Sequence, residues 1–119
     1  MKLFIDDIRP APEGWQQART VTDAIRFLAM FGKEVDEISI DHDISYAVEV
    51  AGTIRPFPSP ENFSAVARYI CAAYVPVKKV IIHSDNPVGA LEISKIFKEA
   101  DIACEYVPAS RVNRLESEV

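Results

Sequence analysis

The stretch E-I-S-I-D-H-D, residues 37–43, is a short apolar run that ends on two aspartates with a histidine between them. The run L-F-I-D-D, residues 3–7, has the same form, and V-I-I-H-S-D, residues 80–85, repeats the pattern later in the chain. Near-continuous apolar strands are typical of a parallel sheet that is covered on both faces. These three runs therefore predict an α/β fold whose strands end on polar side chains.

The length and composition fit one globular domain. The chain has 119 residues, 49% of them hydrophobic, and we expect residues 1–119 to form a single domain. A formal charge of −5 argues against a broad nucleic-acid-binding surface. We expect a reduced, cytoplasmic location, because the two cysteines, Cys71 and Cys104, are far apart and the sequence shows no signal peptide. We expect no membrane contact, because no stretch reaches about 18 consecutive apolar residues. The oligomeric state is left open.

Strands and helices are predicted to alternate along the chain. The predicted strands are residues 2–5, about 17–20, 37–40, 79–83 and 103–107. Three helices are predicted to start at capping pairs, which are Thr20 with Asp23, Ser59 with Pro60, and Asp85 or Asn86 with Pro87. This order indicates a three-layer, mainly parallel five-stranded sheet with right-handed crossovers. Cys71 has helical spacing with apolar neighbours and makes no C-x-x-C pair with Cys104, so it is predicted to be a core residue.

Two connections depart from a regular alternation. Residues 8–15, I-R-P-A-P-E-G-W, contain two prolines and a glycine, so they are predicted to form a loop instead of the first crossover helix. The strand that follows this loop is expected to be short or peripheral. Residues 44–58 are long for a connection, and we interpret them either as a flap over the sheet edge or as a variable surface loop.

Polar residues follow the three apolar strands, at the edge where ligands bind in open α/β sheets. The residues at this edge are Asp6, Asp7, Asp41, His42, Asp43, His83, Ser84 and Asp85. Two carboxylates about 4 Å apart repel by about 4 kcal/mol at an effective dielectric of about 20, so such a cluster requires a cation, a proton or an arginine. Mg²⁺ (or Mn²⁺) is a suitable cation. Alternatively, Arg9 and Arg19 neutralise the carboxylates without a metal, or face a phosphate.

Several of these residues have a second interpretation that involves no ligand. Asp7 and Asp43 can cap the turns that follow their strands. His42 and His83 are either structural hydrogen-bonding residues or proton-transfer groups. Trp15 is predicted to be a hydrophobic plug beneath the first loop, with an aromatic platform for a base as the alternative.

The segments L-F-I-D-D, A-R-T-V-T-D-A-I-R-F-L, E-I-S-I-D-H-D and V-I-I-H-S-D resemble, in order and spacing, the receiver domains of response regulators. The resemblance implies a receiver (flavodoxin-like) topology, with Mg²⁺ on Asp6 and Asp7, a phosphate-accepting Asp41, and a phosphoryl contact from Ser84. Receivers carry a lysine before the proline that follows strand five. Here Val107 precedes the proline, so a conventional phosphorelay is not implied.

The departures from ordinary receivers resemble a particular group, the cyclic-phosphate processing receiver domains. The segments that carry this likeness are L-F-I-D-D-I-R-P-A-P-E-G-W, A-R-T, D-H-D and H-S-D-N-P-V-G. The resemblance implies a phosphate-containing small molecule or an RNA end as partner. It implies catalytic roles for Asp41, His42 and His83, phosphate contacts from Arg9, Arg19, Ser84 and Asn86, and metal ligation by Asp6, Asp7, Asp41 and Asp43.

Three hypotheses about function remain open from the sequence. The first is a metal-assisted phosphoesterase for cyclic or terminal phosphates of nucleotides or RNA. The second is a non-catalytic module that binds a phosphate ligand or a partner in a degenerate receiver pocket. The third reads D-H-D-I-S as the nucleophile motif of haloacid-dehalogenase-like phosphatases, with Asp41 as nucleophile and Asp43 as acid.

Overall fold

The computed structural model describes residues 1–108, apart from the side chains of residues 46–48, 56–58 and 60. The elements in chain order are β1 Lys2–Ile5, β2 Gln16–Ala18, α1 Val21–Phe31, a 3₁₀ turn Gly32–Glu34, β3 Glu37–Ile40, β4 Asp43–Val50, β5 Thr53–Asn62, α2 Ser64–Ala72, β6 Lys79–His83, α3 Pro87–Glu99 and β7 Cys104–Val107. None of the helices within residues 1–108 has the length and apolar character of a membrane span.

Five strands form one parallel sheet in the order β2-β1-β3-β6-β7, which confirms the predicted receiver topology. The register pairs Ile5 with Ile40 and Ile40 with Ile82. The residues that follow these three isoleucines therefore leave the sheet at the same level. This alignment places Asp6, Asp41 and His83 side by side at the carboxyl edge.

The two faces of the sheet are covered differently. Right-handed crossovers that all advance in one direction put their helices on one face, and the buried residues of α1, α2 and α3 form one core cluster with Leu3, Ile5 and Ile38. Phe4 points to the opposite face and packs with Trp15 and Ala11 from the loop 8–15. The first crossover helix would lie on this opposite face, and its reduction to a loop is confirmed.

The loop between β1 and β2 is held by side chains of its own and of the short edge strand. The Gln17 amide donates to the backbone carbonyls of Asp6 at 3.1 Å and Arg9 at 2.8 Å, and its oxygen accepts from the Ala11 N–H at 2.7 Å. Trp15 is buried with its ring edge-on to Phe4. The prediction of a hydrophobic plug is confirmed, and the loop backbone contains one turn hydrogen bond, from the Trp15 N–H to the Pro12 carbonyl at 3.1 Å.

Two of the three predicted helix starts are confirmed. The Thr20 hydroxyl accepts from the Asp23 N–H, and the Asn86 side chain accepts from the Gly89 N–H, with Pro87 in the first helical turn. The start predicted at Ser59 and Pro60 is wrong, because residues 59–62 belong to β5 and α2 begins at Ser64. Cys71 packs against the core cluster as predicted, although it is only partly buried.

Residues 44–58, which the sequence suggests are a flap or a variable surface loop, lie in an antiparallel hairpin of β4 and β5, whose strands the sequence does not predict. Ala51 and Gly52 form its two-residue turn with φ of 52° and 80°, the positive values that a type I′ turn requires. The prolines at positions 56, 58 and 60 argued against a strand. They are tolerated because each strand of a two-stranded ribbon is an edge strand, whose outward N–H groups need no partner strand.

Replacing Thr20 with Ala removes the side-chain acceptor for the Asp23 N–H at the start of α1. We expect Thr20→Ala to lower the free energy of unfolding by about 1 kcal/mol, the usual value of such a cap. Urea denaturation measures the change. Thr22→Ala, on an exposed position of the same helix, is the matched control and should be neutral or slightly stabilising. Equal effects of the two substitutions would contradict the capping role.

Candidate functional site

Three carboxylates meet where β1 and β3 end. Asp6, Asp7 and Asp41 each offer an oxygen, and these oxygens lie within 4.8 Å of one another. Asp6 is fully buried, and its Oδ1 accepts from the backbone N–H groups of Ile8 and Arg9, both at 2.8 Å. The loop backbone thus folds around the first carboxylate. The parallel register brings Asp6 and Asp41 together, and Asp7 follows Asp6 in the chain.

The hairpin is attached to this cluster at its base. Oδ2 of Asp7 accepts from the Ser45 N–H at 2.8 Å and lies 3.4 Å from the Ser45 hydroxyl. The Phe63 N–H donates to the His42 carbonyl at 2.9 Å where the second hairpin strand leads into α2. The position of the Asp7 carboxylate is therefore coupled to the position of the hairpin.

Asp41 has the strongest electrostatic perturbation of the group. Burial raises the pKa of Asp41, and repulsion from Asp6 and Asp7 adds to the effect, so that its pKa rises from 3.8 to about 7. The His42 N–H, which donates to Oδ1 of Asp41 at 2.7 Å, and the charge of Arg9 oppose this rise only in part. At neutral pH, ionisation of Asp41 therefore lowers the free energy of unfolding.

Arg9 is the cation nearest to the cluster among the residues that the structure describes. Its Nη1 lies 3.6 Å from Oδ2 of Asp6 and 3.8 Å from Oδ2 of Asp41, while Nη2 donates to Asp85 at 3.0 Å. Arg19 instead donates from Nη1 to the carbonyl oxygens of Asp7 and Ile8, both at 3.2 Å. The two arginines therefore differ in their contacts, which the sequence does not predict. Arg9 faces carboxylates, and Arg19 binds carbonyl oxygens of the loop backbone.

His83 lies behind the cluster, fully buried. Its Nε2 is 2.9 Å from Oδ2 of Asp6, its Nδ1 is 2.7 Å from the Ser39 hydroxyl, and its ring stacks on Phe4 at a centroid distance of 4.4 Å. Burial lowers the pKa of His83, and the hydrogen bond to Asp6 does not offset the effect. For Asp6, burial alone would raise the pKa, but hydrogen bonds from His83 and from the loop backbone lower it.

His42 lies on the other side of the cluster, between two further carboxylates. Its Nδ1 is 2.6 Å from Asp43 and its Nε2 is 3.0 Å from Glu92 on α3. Burial would lower the pKa of His42, but the hydrogen bonds to these carboxylates raise it above its usual value. The ring packs directly against Gly89, where a Cβ atom would overlap it. The imidazole therefore connects the β3–β4 junction to the first turns of α3.

Ser84 and Asn86 organise the start of α3. The Ser84 hydroxyl accepts from the Asn86 N–H at 3.1 Å, and the Ser84 carbonyl accepts from the Tyr106 hydroxyl at 2.7 Å. The Asn86 amide donates to Oδ1 of Asp43 at 3.0 Å. Asp43 consequently points toward His42 and Asn86. It lies outside the three-carboxylate group of residues 1–108, although the sequence named it as a fourth metal ligand.

The donor set suits a hard divalent cation. Asp6, Asp7 and Asp41 supply only oxygen ligands, which Mg²⁺ and Mn²⁺ prefer, and the raised pKa of Asp41 reflects burial together with repulsion from Asp6 and Asp7. Sequence reasoning missed Ser39, Ser45 and Glu92. Ser39 carried a signal, since a serine within an otherwise apolar strand needs a partner. Ser45 entered only as the last residue of the D-H-D-I-S motif and Glu92 carried no signal, because the hairpin register and the packing of α3 bring them to the site.

The family model for the cyclic-phosphate processing receiver domain matches residues 1–99. The matched segment runs from β1 to the end of α3 and includes the three carboxylates, both arginines and both histidines. Comparisons with curated proteins and with solved structures gave no match.

The charge on Asp41 should make metal-free stability depend on pH. Between pH 3.8 and about 7 the folded chain keeps a proton on Asp41 that the unfolded chain has lost, so raising the pH through this window lowers stability. We therefore expect Asp41→Asn to be near neutral at pH 4. In EDTA at pH 8 it should gain stability on the order of 2–4 kcal/mol. Chemical denaturation of both proteins at the two pH values measures this difference.

The exposed Glu13 provides the control for that experiment, because Glu13→Gln removes a carboxylate that lies outside the cluster. Its stability difference from the wild type should not grow between pH 4 and pH 8. A constant difference for Asp41→Asn across the same range would contradict the electrostatic account of the cluster.

The contact between Gly89 and the His42 ring can be measured with a double-mutant cycle. Gly89→Ala should gain up to about 1 kcal/mol from helix propensity alone. In the wild type we expect a net loss of stability, because the added methyl group displaces the His42 ring from its carboxylate partners. In a His42→Ala background the same substitution should be stabilising. Urea denaturation of the four proteins gives the coupling, and a coupling near zero would contradict the close packing.

Proposed function

Because the chain belongs to the cyclic-phosphate processing receiver domain family, we propose that it performs metal-assisted processing of cyclic or terminal phosphates of nucleotides or RNA ends. The observation that carries this proposal is the convergence of Asp6, Asp7 and Asp41 within 4.8 Å beside the Arg9 guanidinium. Such a site pairs a cation-binding group with an anion-binding group, which is the combination that a phosphate ester requires.

Asp6, Asp7 and Asp41 are the proposed ligands of Mg²⁺ or Mn²⁺. When bound, the cation supplies Lewis-acid polarisation of a phosphoryl oxygen and neutralises negative charge. Asp6 is suited to this role because backbone N–H groups and His83 fix both of its oxygens. Asp41 contributes the charge that is hardest to keep without a cation, and Asp7 links the site to the hairpin.

Arg9 is the proposed phosphate contact. Its side chain is about one-third exposed, with relative accessibility 35%, and its partner Asp85 is more exposed still at 57%. A phosphoryl group can therefore replace Asp85 as the acceptor and take two parallel hydrogen bonds from the guanidinium. Arg19 then acts indirectly, because it holds the carbonyls of the loop that carries Arg9.

The histidines take different roles in this proposal. His42 has a raised pKa and a position next to Asp41, so it can carry a proton near neutral pH and donate it to a leaving ribose oxygen once it releases Asp43 or Glu92. His83 is fully buried with both ring nitrogens hydrogen-bonded, so it acts through Asp6 as a positioning residue. Ser84 and Asn86 shape the loop that borders the site.

A non-catalytic phosphate-binding module is the second candidate, and two observations favour it. Each ring nitrogen of His42 and His83 already has a protein partner, so proton transfer requires a rearrangement. Val107 also stands where receivers carry their lysine. The haloacid-dehalogenase-like reading is less favoured, because Asp43, its general acid, is paired with His42 and Asn86.

The test is a screen of 2′,3′-cyclic nucleotides, 3′,5′-cyclic nucleotides and RNA 3′-phosphates with Mg²⁺, Mn²⁺ or EDTA. We expect turnover that requires a divalent cation and falls on the order of 100-fold in Asp41→Asn, the scale for losing one group that stabilises transition-state charge. Asp23→Asn, an exposed aspartate on α1, is the matched control and should retain full activity.

Two results would count against catalysis. Equal rates for the wild type and Asp41→Asn would assign the turnover to a contaminant. Thermal stabilisation by a cyclic nucleotide without turnover would select the binding module instead. Absence of both turnover and stabilisation by any of these phosphates would overturn both candidates.

A further inference from the structure

We propose that Ser39 is a positioning residue of the acidic site. Its hydroxyl donates to Nδ1 of His83, whose Nε2–H is donated to Asp6, so the ring that orients this carboxylate is itself held by hydrogen bonds at both nitrogens. This inference deepens the proposed function and rests on it, since its purpose is to orient one of the cation-binding carboxylates.

A chain of hydrogen bonds inside the sheet, here called the relay, joins Ser39, His83 and Asp6. The Ser39 hydroxyl lies 2.7 Å from Nδ1 of His83, and Nε2 of the same ring lies 2.9 Å from Oδ2 of Asp6. Asp6 and His83 have no exposed surface, and Ser39 has 1%. Because Ser39 comes from β3, His83 from β6 and Asp6 from the end of β1, the relay joins three neighbouring strands.

Hydrogen-bonding chemistry assigns the direction of the relay. An ionised carboxylate is only an acceptor, so Nε2 of His83 must carry a hydrogen to bond Asp6. A neutral imidazole then presents Nδ1 as an acceptor, which needs a donor. Complete burial disfavours the charged ring. The Ser39 hydroxyl is placed to supply that donor, and no other arrangement satisfies all three groups with a neutral ring.

Stacking removes the remaining freedom of the ring. The His83 and Phe4 rings are 4.4 Å apart between centroids and only 6° from parallel. Phe4 is itself held edge-on by Trp15. The imidazole plane is therefore set by packing, Asp6 requires the hydrogen on Nε2, and Ser39 supplies the donor that Nδ1 then needs.

A neutral donor has an advantage over a charged one at this position. An imidazolium would offset the negative charge of Asp6 and weaken the attraction of the cluster for a cation. The neutral Nε2–H satisfies a buried carboxylate oxygen without cancelling its charge. Hydrogen-bonding partners of metal ligands typically contribute about 10–100-fold to metal affinity. We expect a contribution of about tenfold from Ser39, because it contacts the ligand Asp6 only through His83.

The first experiment measures the tautomer in the metal-free full chain by ¹H–¹⁵N correlation NMR of the histidine rings. We expect His83 of the wild type to show a protonated Nε2 and an unprotonated Nδ1. Ser39→Ala, which removes the donor to Nδ1, should change the ¹⁵N chemical shift of the unprotonated Nδ1, and Ser39→Thr, which keeps the hydroxyl, should restore the wild-type shift. An imidazolium signal or a hydrogen on Nδ1 in the wild type would overturn the inference, whatever the protein does with phosphates.

The second experiment titrates the same proteins with Mg²⁺ alone, followed by the amide signals of residues 5–9 and by thermal stability. Ser39→Ala should bind Mg²⁺ about tenfold more weakly than the wild type, and Ser39→Thr should approach wild-type affinity. His83→Gln and His83→Asn form a matched pair, because a Gln amide places its nitrogen near the Nε2 position and an Asn amide near Nδ1. We expect Gln to retain more Mg²⁺ affinity than Asn.

The outcomes separate the inference from the proposed function. Equal Mg²⁺ affinity of the wild type and Ser39→Ala would overturn the positioning role and leave the metal site in place. No Mg²⁺ binding by the wild type would overturn the metal-assisted function and the positioning role with it. If Ser39→Ala fails to fold, equal affinities of the His83→Gln and His83→Asn variants would still overturn the inference.

Discussion

The repulsion among three carboxylates at the end of β1 and β3 is the constraint on which the rest of the structure depends. The parallel register aligns the last residues of neighbouring strands, so Asp6 and Asp41, which follow them, lie close together. The chain surrounds Asp6 with hydrogen-bond donors, leaves Asp41 with a raised pKa of about 7, and places Arg9 at 3.6 Å and 3.8 Å from the two. None of these removes the excess charge, and this charge is the basis for proposing that the site binds a divalent cation.

The missing first crossover helix explains much of the local architecture. In its place a proline-containing loop is held by the Gln17 amide, by Arg19 and by the buried Trp15. The sheet face beneath this loop carries the polar relay of Ser39, His83 and Asp6 next to Phe4. A hydrogen-bonded network thus occupies a face that would otherwise hold only apolar packing, and it supports the site from behind.

Sequence reasoning found the sheet, the strand ends and two helix caps because these depend on local pattern. Apolar runs marked β1, β3 and β6, and Thr20 and Asn86 marked the caps. Sequence reasoning did not predict the hairpin in residues 44–62. The prolines there argue against a strand in the interior of a sheet, but they are compatible with an isolated two-stranded hairpin. Sequence reasoning also could not separate Arg9 from Arg19 or place Glu92 against His42. Those relations depend on long-range packing, which no local spacing encodes.

The hydrogen bond from the Ser45 N–H to Asp7 connects the acidic site to the hairpin of β4 and β5. Any ligand that orders the Asp7 carboxylate in this orientation also favours the hairpin position that keeps the bond. Thermodynamic linkage makes such an effect reciprocal, so a partner that grips the hairpin in that position raises the affinity of the carboxylates for their ligand by the same factor. A molecule that binds the hairpin in this position would therefore change how much ligand the carboxylates bind at a given ligand concentration.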